Sequence, residues 1–161
     1  MTTRSLQSIA IAGAWGYIAV TGGLLFGSRS NTDHTVVNTY NRANAGQGYP
    51  ESKTFWAMDP KTGRVKWTYT ARHSIRHNSI AIGQGRVYLI DRPRARMDLL
   101  RRGQVERKEV HALGELLCLD AGTGKILWKA PEIWGTLLAL SSRHDVLLMS
   151  FQLTQYTLPS E

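Results

Sequence analysis

The sequence contains a single cysteine, Cys118. One thiol excludes an internal disulfide and a zinc site built on cysteines, and it says nothing about redox compartment. Its neighbours in "ELLCLD" are apolar, so Cys118 reads as a small packed side chain. Carboxylates are also in short supply. Twelve Asp and Glu stand against 20 Lys and Arg, for a formal charge of +8 and a pI near 10.0. That balance invites a nucleic-acid or anionic-surface reading. Much of it comes from one stretch, Arg92 to Lys108, where seven basic residues meet two acids. A locally basic segment of this kind is more often a solvated insertion than a nucleic-acid site. With 42% hydrophobic and 20% charged residues over 161 positions, the chain has the make-up of one globular domain.

One long run lacks charge altogether. Ile9 to Gly27, "IAIAGAWGYIAVTGGLLFG", follows Arg4 and has the length of a membrane span or a secretory core. Five glycines interrupt it, and its alternation suits two short strands joined by a turn. An internal repeat decides between these readings. "IAVTGGLLFGSRS" (Ile18 to Ser30) aligns without gaps to "IAIGQGRVYLIDR" (Ile80 to Arg92), an offset of 62. "FWAMDPKTGRVKW" (Phe55 to Trp67) aligns to "LLCLDAGTGKILW" (Leu116 to Trp128), an offset of 61. A partial third copy, Trp134 to Phe151, resembles the stretch from Trp15, so the Trp-Gly pair at 15–16 recurs at 134–135. Residues 15–28 therefore open a repeat and are not expected to span a membrane. Residues 1–14 match nothing else in the chain and stay unassigned, with a targeting segment as their alternative.

The first two copies each read as four short strands. These are Tyr17–Thr21, Leu24–Ser28, Thr54–Met58 and Arg64–Tyr69, then Ser79–Gly83, Arg86–Asp91, Glu115–Leu119 and Lys125–Ala130. The third copy offers only Leu137–Ser141 and Val146–Phe151. Apolar, β-branched and aromatic residues dominate these runs, and Gly or Asp-Pro punctuates them. The expected fold is all-β. It is an incomplete β-propeller of about two and a half four-stranded antiparallel blades, over residues 15–70, 71–131 and 132–152. Long insertions, Arg29–Lys53 and Arg92–Gly114, separate the second and third strands and lengthen the period.

At "AMDPKTGRVKW" and "CLDAGTGKILW" the chain resembles the pyrroloquinoline-quinone-like propeller repeat. In that family blades end in an Asp-x-x-Thr-Gly-Lys/Arg-x-x-Trp run. Asp59, Thr62, Gly63 and Trp67 fit it in one copy, and Asp120, Thr123, Gly124 and Trp128 fit it in the other. The wording around "HSIRHNSIAIGQGRVYLIDR" is most similar to large envelope-associated bacterial propeller proteins of undefined activity. A periplasmic or cell-envelope location is what that resemblance implies. The motif also has a physical reading of its own. The Asp caps a tight turn, Pro60 presets φ, and Gly63 or Gly124 supplies positive φ. The Trp then fills the gap between adjacent blades. Gly122-Thr123-Gly124-Lys125 is not a phosphate loop on this reading. Leu119 stands where a Walker motif needs Gly, and Ile126 stands where it needs Ser or Thr.

Loops raised on a rigid scaffold are the usual place for binding groups. The two insertions should share a face with "ARHSIRHN" and "APEIWG", gathering His73, Arg76, His77, Asn78, Arg92, Arg94, Arg96, Arg101 and Arg102. The candidate site is an anion- or partner-binding surface there. His73 and His77 form no metal pair in a strand-connecting loop, and no Ser-His-Asp set can be argued from the spacings. Three functions follow. The first is a noncatalytic scaffold or binding module in the bacterial envelope, a fragment completed by remaining blades or a protein partner. The second is part of a quinone-dependent oxidoreductase, with the quinone and calcium held at the centre of a ring. Its metal ligands and catalytic Asp belong to motifs not found here. The third is a basic surface for an anionic polymer or nucleic acid. For the first reading no cofactor is evident.

Overall fold

The computed structural model describes residues 14–36, 49–93 and 113–150. Nine strands are described and no helix: β1 (Ala14–Thr21), β2 (Leu24–Val36), β3 (Tyr49–Met58), β4 (Val65–Gly83), β5 (Arg86–Arg92), β6 (Gly114–Asp120), β7 (Ile126–Ile133), β8 (Leu137–Ser141) and β9 (Val146–Ser150). Every pairing is antiparallel and joins consecutive strands, with β7 and β8 left unpaired to each other. β1 to β7 form one meandering sheet, and β8 and β9 form a second of two strands. Among the described residues no helix is long and apolar enough to cross a membrane. The uncharged N-terminal run is strand from Ala14 onward.

The repeat is visible in the backbone. Gly22-Gly23 and Gln84-Gly85 each place two consecutive residues at positive φ, the conformation of a tight two-residue hairpin turn. They close β1–β2 and β4–β5 and sit at matching positions of the two copies. The outer hairpins match as well. Ala57 lies opposite Trp67 and Cys118 opposite Trp128, and each pair is followed by a register shift at the next residue.

Three boundaries differ from the sequence reading, the shortest change being at "APEIWG", expected as a loop, of which Ala130 to Ile133 continue strand β7. Ala71–Asn78, expected as a loop between blades, lies within the continuous strand β4. β4 pairs with β3 between Val65 and Thr70 and again at Ile75 and Arg76, and with β5 at Ser74, Ile75 and Ile80–Gly83, so Ile75 has a partner on both sides, Ser52 and Asp91. The polar side chains in "ARHSIRHN" suggested solvent, but their hydrogen bonds run inward. β2 and β3 likewise extend into the first insertion, pairing as far as Val36 with Tyr49.

The meander folds back on itself because both faces of its strands are apolar. One cluster joins Phe26, Phe55 and Trp67 of the first copy to Val87, Leu89, Leu117 and Leu119 of the second. A second cluster, on the other face of β4–β7, joins Ala81, Tyr88, Ile90, Leu116 and Cys118 to Leu138 of β8. Alternate residues of β5 and β6 thus serve different cores, as the two-residue period of a strand requires. Full burial of such side chains stabilises by roughly 1.5–3 kcal/mol each.

Candidate functional site

At one end of the sheet the start of β3, the middle of β4 and the end of β5 bring polar groups together. Asp91 is their centre. Its Oδ2 accepts from the N–H of Arg72 at 2.6 Å and the hydroxyl of Tyr69 at 3.0 Å. Its Oδ1 accepts from the N–H groups of His73 and Ser74 at 2.8 and 3.2 Å. Four donors on one buried carboxylate hold the middle of β4 against the end of β5. Burial first, and then the Asp91 charge, push the Tyr69 phenol well above its ordinary range.

Beside it lies a buried ion pair. Glu51 accepts from Arg76 Nε at 3.0 Å and from Ser74 Oγ at 2.8 Å. Both charged side chains are at most 5% exposed. Arg92 is buried in the same group, and burial, with Arg76 close by, pulls its guanidinium down to about 10, against the pull of Glu51. These two arginines are therefore held inside the protein. Removing Glu51 would leave buried positive charge without its compensating carboxylate, a change that typically costs 3–5 kcal/mol, order of magnitude.

A third group centres on His77. Its Nε2 lies 2.7 Å from Ser52 Oγ and 3.2 Å from Ser28 Oγ. Ser52 Oγ donates to Ser28 Oγ at 2.8 Å, and Ser28 Oγ accepts from the N–H of Tyr17 at 2.9 Å. Each hydroxyl can turn its proton toward Nε2 or accept from it, so the tautomer of His77 sets which atom donates. Among the described residues no carboxylate bonds to His77, and both serines are buried. The group ties β1, β2, β3 and β4 together. Burial lowers the His77 pKa to about 4, so the ring is neutral at physiological pH.

The opposite end of the sheet carries the two repeat turns. Asp59 Oδ1 accepts from the N–H groups of Lys61 and Thr62, and Asp120 Oδ1 accepts from those of Gly122 and Thr123. Gly63 and Gly124 donate back to the carbonyls of Asp59 and Asp120, each at 2.8 Å. In the second turn the Thr123 hydroxyl also reaches Asp120 Oδ1, at 2.7 Å. Hydrogen bonds from Thr123 lower the Asp120 pKa, and one from the Lys61 N–H lowers that of Asp59. The amides a phosphate would need are already bonded to the turn's own Asp. Gly63 and Gly124 have φ of 70° and 73°, the left-handed conformation the sequence motif calls for. A scan against protein-family models and a search of curated proteins return no match for this chain.

Of the sequence-derived binding face, the structure gathers His73, Arg76, His77, Asn78 and Arg92 at one end of the sheet. His73 is exposed, Asn78 and His77 are half-buried, and Arg76 and Arg92 are buried. Arg94, Arg96, Arg101 and Arg102 lie outside the described residues. No group of three or more His, Cys, Asp or Glu is placed to hold a metal among the described residues. An open cleft of about 190 Å³ runs beside Arg72, His73, Asp91, Gly114, Glu115 and Pro131. Its carboxylates are engaged, Asp91 by the four donors above and Glu115 by Lys129 at 3.2 Å. Glu51, Ser52 and Ser28 were missing from the sequence reading. The two residues of β3 sit inside a stretch read as insertion, and nothing local marks them as partners of β4.

Proposed function

We propose that the chain is a noncatalytic β-propeller segment of the pyrroloquinoline-quinone-like kind, acting as a scaffold or binding module in the bacterial cell envelope. One observation carries this reading. Trp67, at the end of the first repeat motif, is 9% exposed and donates Nε1 to the carbonyl of Ala121, 3.0 Å away in the turn of the second. A motif tryptophan that seats on the next motif's turn is a coupling between consecutive units. The polar groups at the other end of the sheet support the scaffold role, since each is engaged in holding strands together. The remaining blades or a protein partner would complete the assembly, and an anionic ligand would meet the basic insertion.

The test is a thermal melt with and without pyrroloquinoline quinone and calcium. A scaffold shows an unchanged midpoint. Stabilisation that rises with quinone concentration would overturn the reading in favour of an oxidoreductase part.

A further inference from the structure

The turns that close the hairpins β3–β4, β4–β5, β6–β7 and β8–β9 lie together at one end of the molecule. The sheet register sets Asp120 opposite Arg86. Ala121 donates its N–H to the carbonyl of Gly85 at 2.9 Å, and Gln84 Nε2 donates to that of Ser142 at 2.8 Å. Gly124 lies so near the Trp67 ring that a Cβ there would come within 2.6 Å of it. Each turn is thus braced by a neighbour, and together they form a rank of short, fixed tips.

Charge at this end is uneven. Lys61, Arg64, Lys66, Arg86, Lys125 and Arg143 are all exposed, and they face only three acids, Asp59, Asp120 and Asp145. Two of those carboxylates are turned onto the N–H groups of their own turns. Among the described residues no ion pair holds Lys61, Arg64, Lys125 or Arg143. Arg64 and Lys125 each follow the turn glycine of a motif, so the repeat sets a cation at the same place in both copies. Beside these cations stand exposed apolar side chains, Val65 at 48%, Ile126 at 37% and Val146 at 42%.

Exposed cations with apolar neighbours on rigid tips suit the headgroup region of an anionic bilayer, where phosphates meet the cations and apolar groups reach the acyl boundary. A nucleic acid fits less well. Reading bases takes a helix or ribbon that enters a groove, or aromatic rings on which bases stack. These hairpins are held in sheets, and the four turns contain no Phe, Tyr or Trp.

We propose that the turn end is a peripheral docking surface for an anionic lipid bilayer, with Arg64 and Lys125 as its matched contacts to lipid phosphates. This surface lies opposite the end that holds Asp91 and His77. It goes beyond the scaffold reading and does not depend on it.

The full chain is sedimented with vesicles of equimolar phosphatidylglycerol and phosphatidylcholine, and with vesicles of phosphatidylcholine alone. Binding is expected to the first only, and it should weaken as salt is raised. Each basic residue near such a surface contributes about a fivefold factor, so Arg64→Gln with Lys125→Gln should weaken binding about thirtyfold. Arg29→Gln with Arg72→Gln removes the same charge from exposed positions at the other end. That pair should stay within about twofold of the parent at physiological salt, where charges more than about 8 Å from the lipid are screened. All four residues are exposed, so unchanged melting curves certify both variants as folded. Amide exchange of the parent on vesicles should slow at residues 59–64 and 120–125. Absence of parent binding, equal losses in the two variants, or slowed exchange confined to the other end would overturn the proposal. Release of the chain from vesicles by duplex DNA at equal phosphate concentration would overturn it too, by making a nucleic acid the occupant.

Discussion

Trp67 and Trp128 allow the weight of one hydrogen bond to be measured against an internal control. Trp67→Phe keeps the ring in its pocket but leaves the buried Ala121 carbonyl without its donor, which should cost about 1–3 kcal/mol. Trp128→Phe changes an exposed position and should fall within about 0.5 kcal/mol of the parent. Urea denaturation of both variants checks the contrast, and equal losses would contradict the role given to Trp67. His77 is testable at the same scale. Folded, it titrates near 4 against an ordinary value of 6.5, so the unfolded chain takes the proton first. Its contribution to stability is whole above pH 6.5 and declines as pH falls toward 4. Partial exposure reduces the size of the effect. His77→Gln keeps a polar partner for Ser52 and removes the titration. The difference in stability between parent and variant should therefore change across that window and be flat above it, as equilibrium unfolding at several pH values can show.

At the scale of elements, the repeat turns were fully legible. Asp, Thr and Gly at fixed spacing specify a local structure, so both copies fold as read, and Gly124 has a sharp consequence. Gly124→Val meets positive φ and the Trp67 ring together and should cost more than about 2 kcal/mol. Gly122→Ala, whose added Cβ would meet only Asp120 Oδ1 at 3.5 Å, should cost far less. Thermal melts of the pair test this. β5 and β6 were legible for a local reason too, short apolar runs bounded by turn residues. β4 was not. "ARHSIRHN" is polar enough to pass for a loop, and only long-range partners make it strand: Asp91 for its backbone, Glu51 for Arg76, and Ser52 for His77. The candidate face was half legible on that account. Of its residues, His73, Arg76, His77, Asn78 and Arg92 meet at one end of the sheet, but the directions of Arg76 and His77 depend on Glu51, Ser28 and Ser52, far away in sequence.

For the whole molecule, the two cores divide the labour. One fastens the first copy to the second, and the other fastens the second to β8 and β9. Cys118 sits in the second core, fully buried, with its thiol pKa raised chiefly by burial. Leu138→Asp should loosen β8 and β9 from that face, so that Cys118 reacts with a thiol reagent many times faster than in the parent under native conditions. Trp67 should stay buried in that variant, which its blue-shifted fluorescence would report. If labelling of Cys118 were unchanged, the second core would not depend on β8.

Strand β4 also bears on how such a chain could have been assembled by duplication. Sequence similarity places the join between copies at about Ala71–Asn78, yet Ile75 is bonded to both neighbouring strands. A gene segment ending there would have delivered half a strand, with one side left for a stranger to complete. The heritable module is then offset from the structural one, and each copied piece arrives already interlocked with the next.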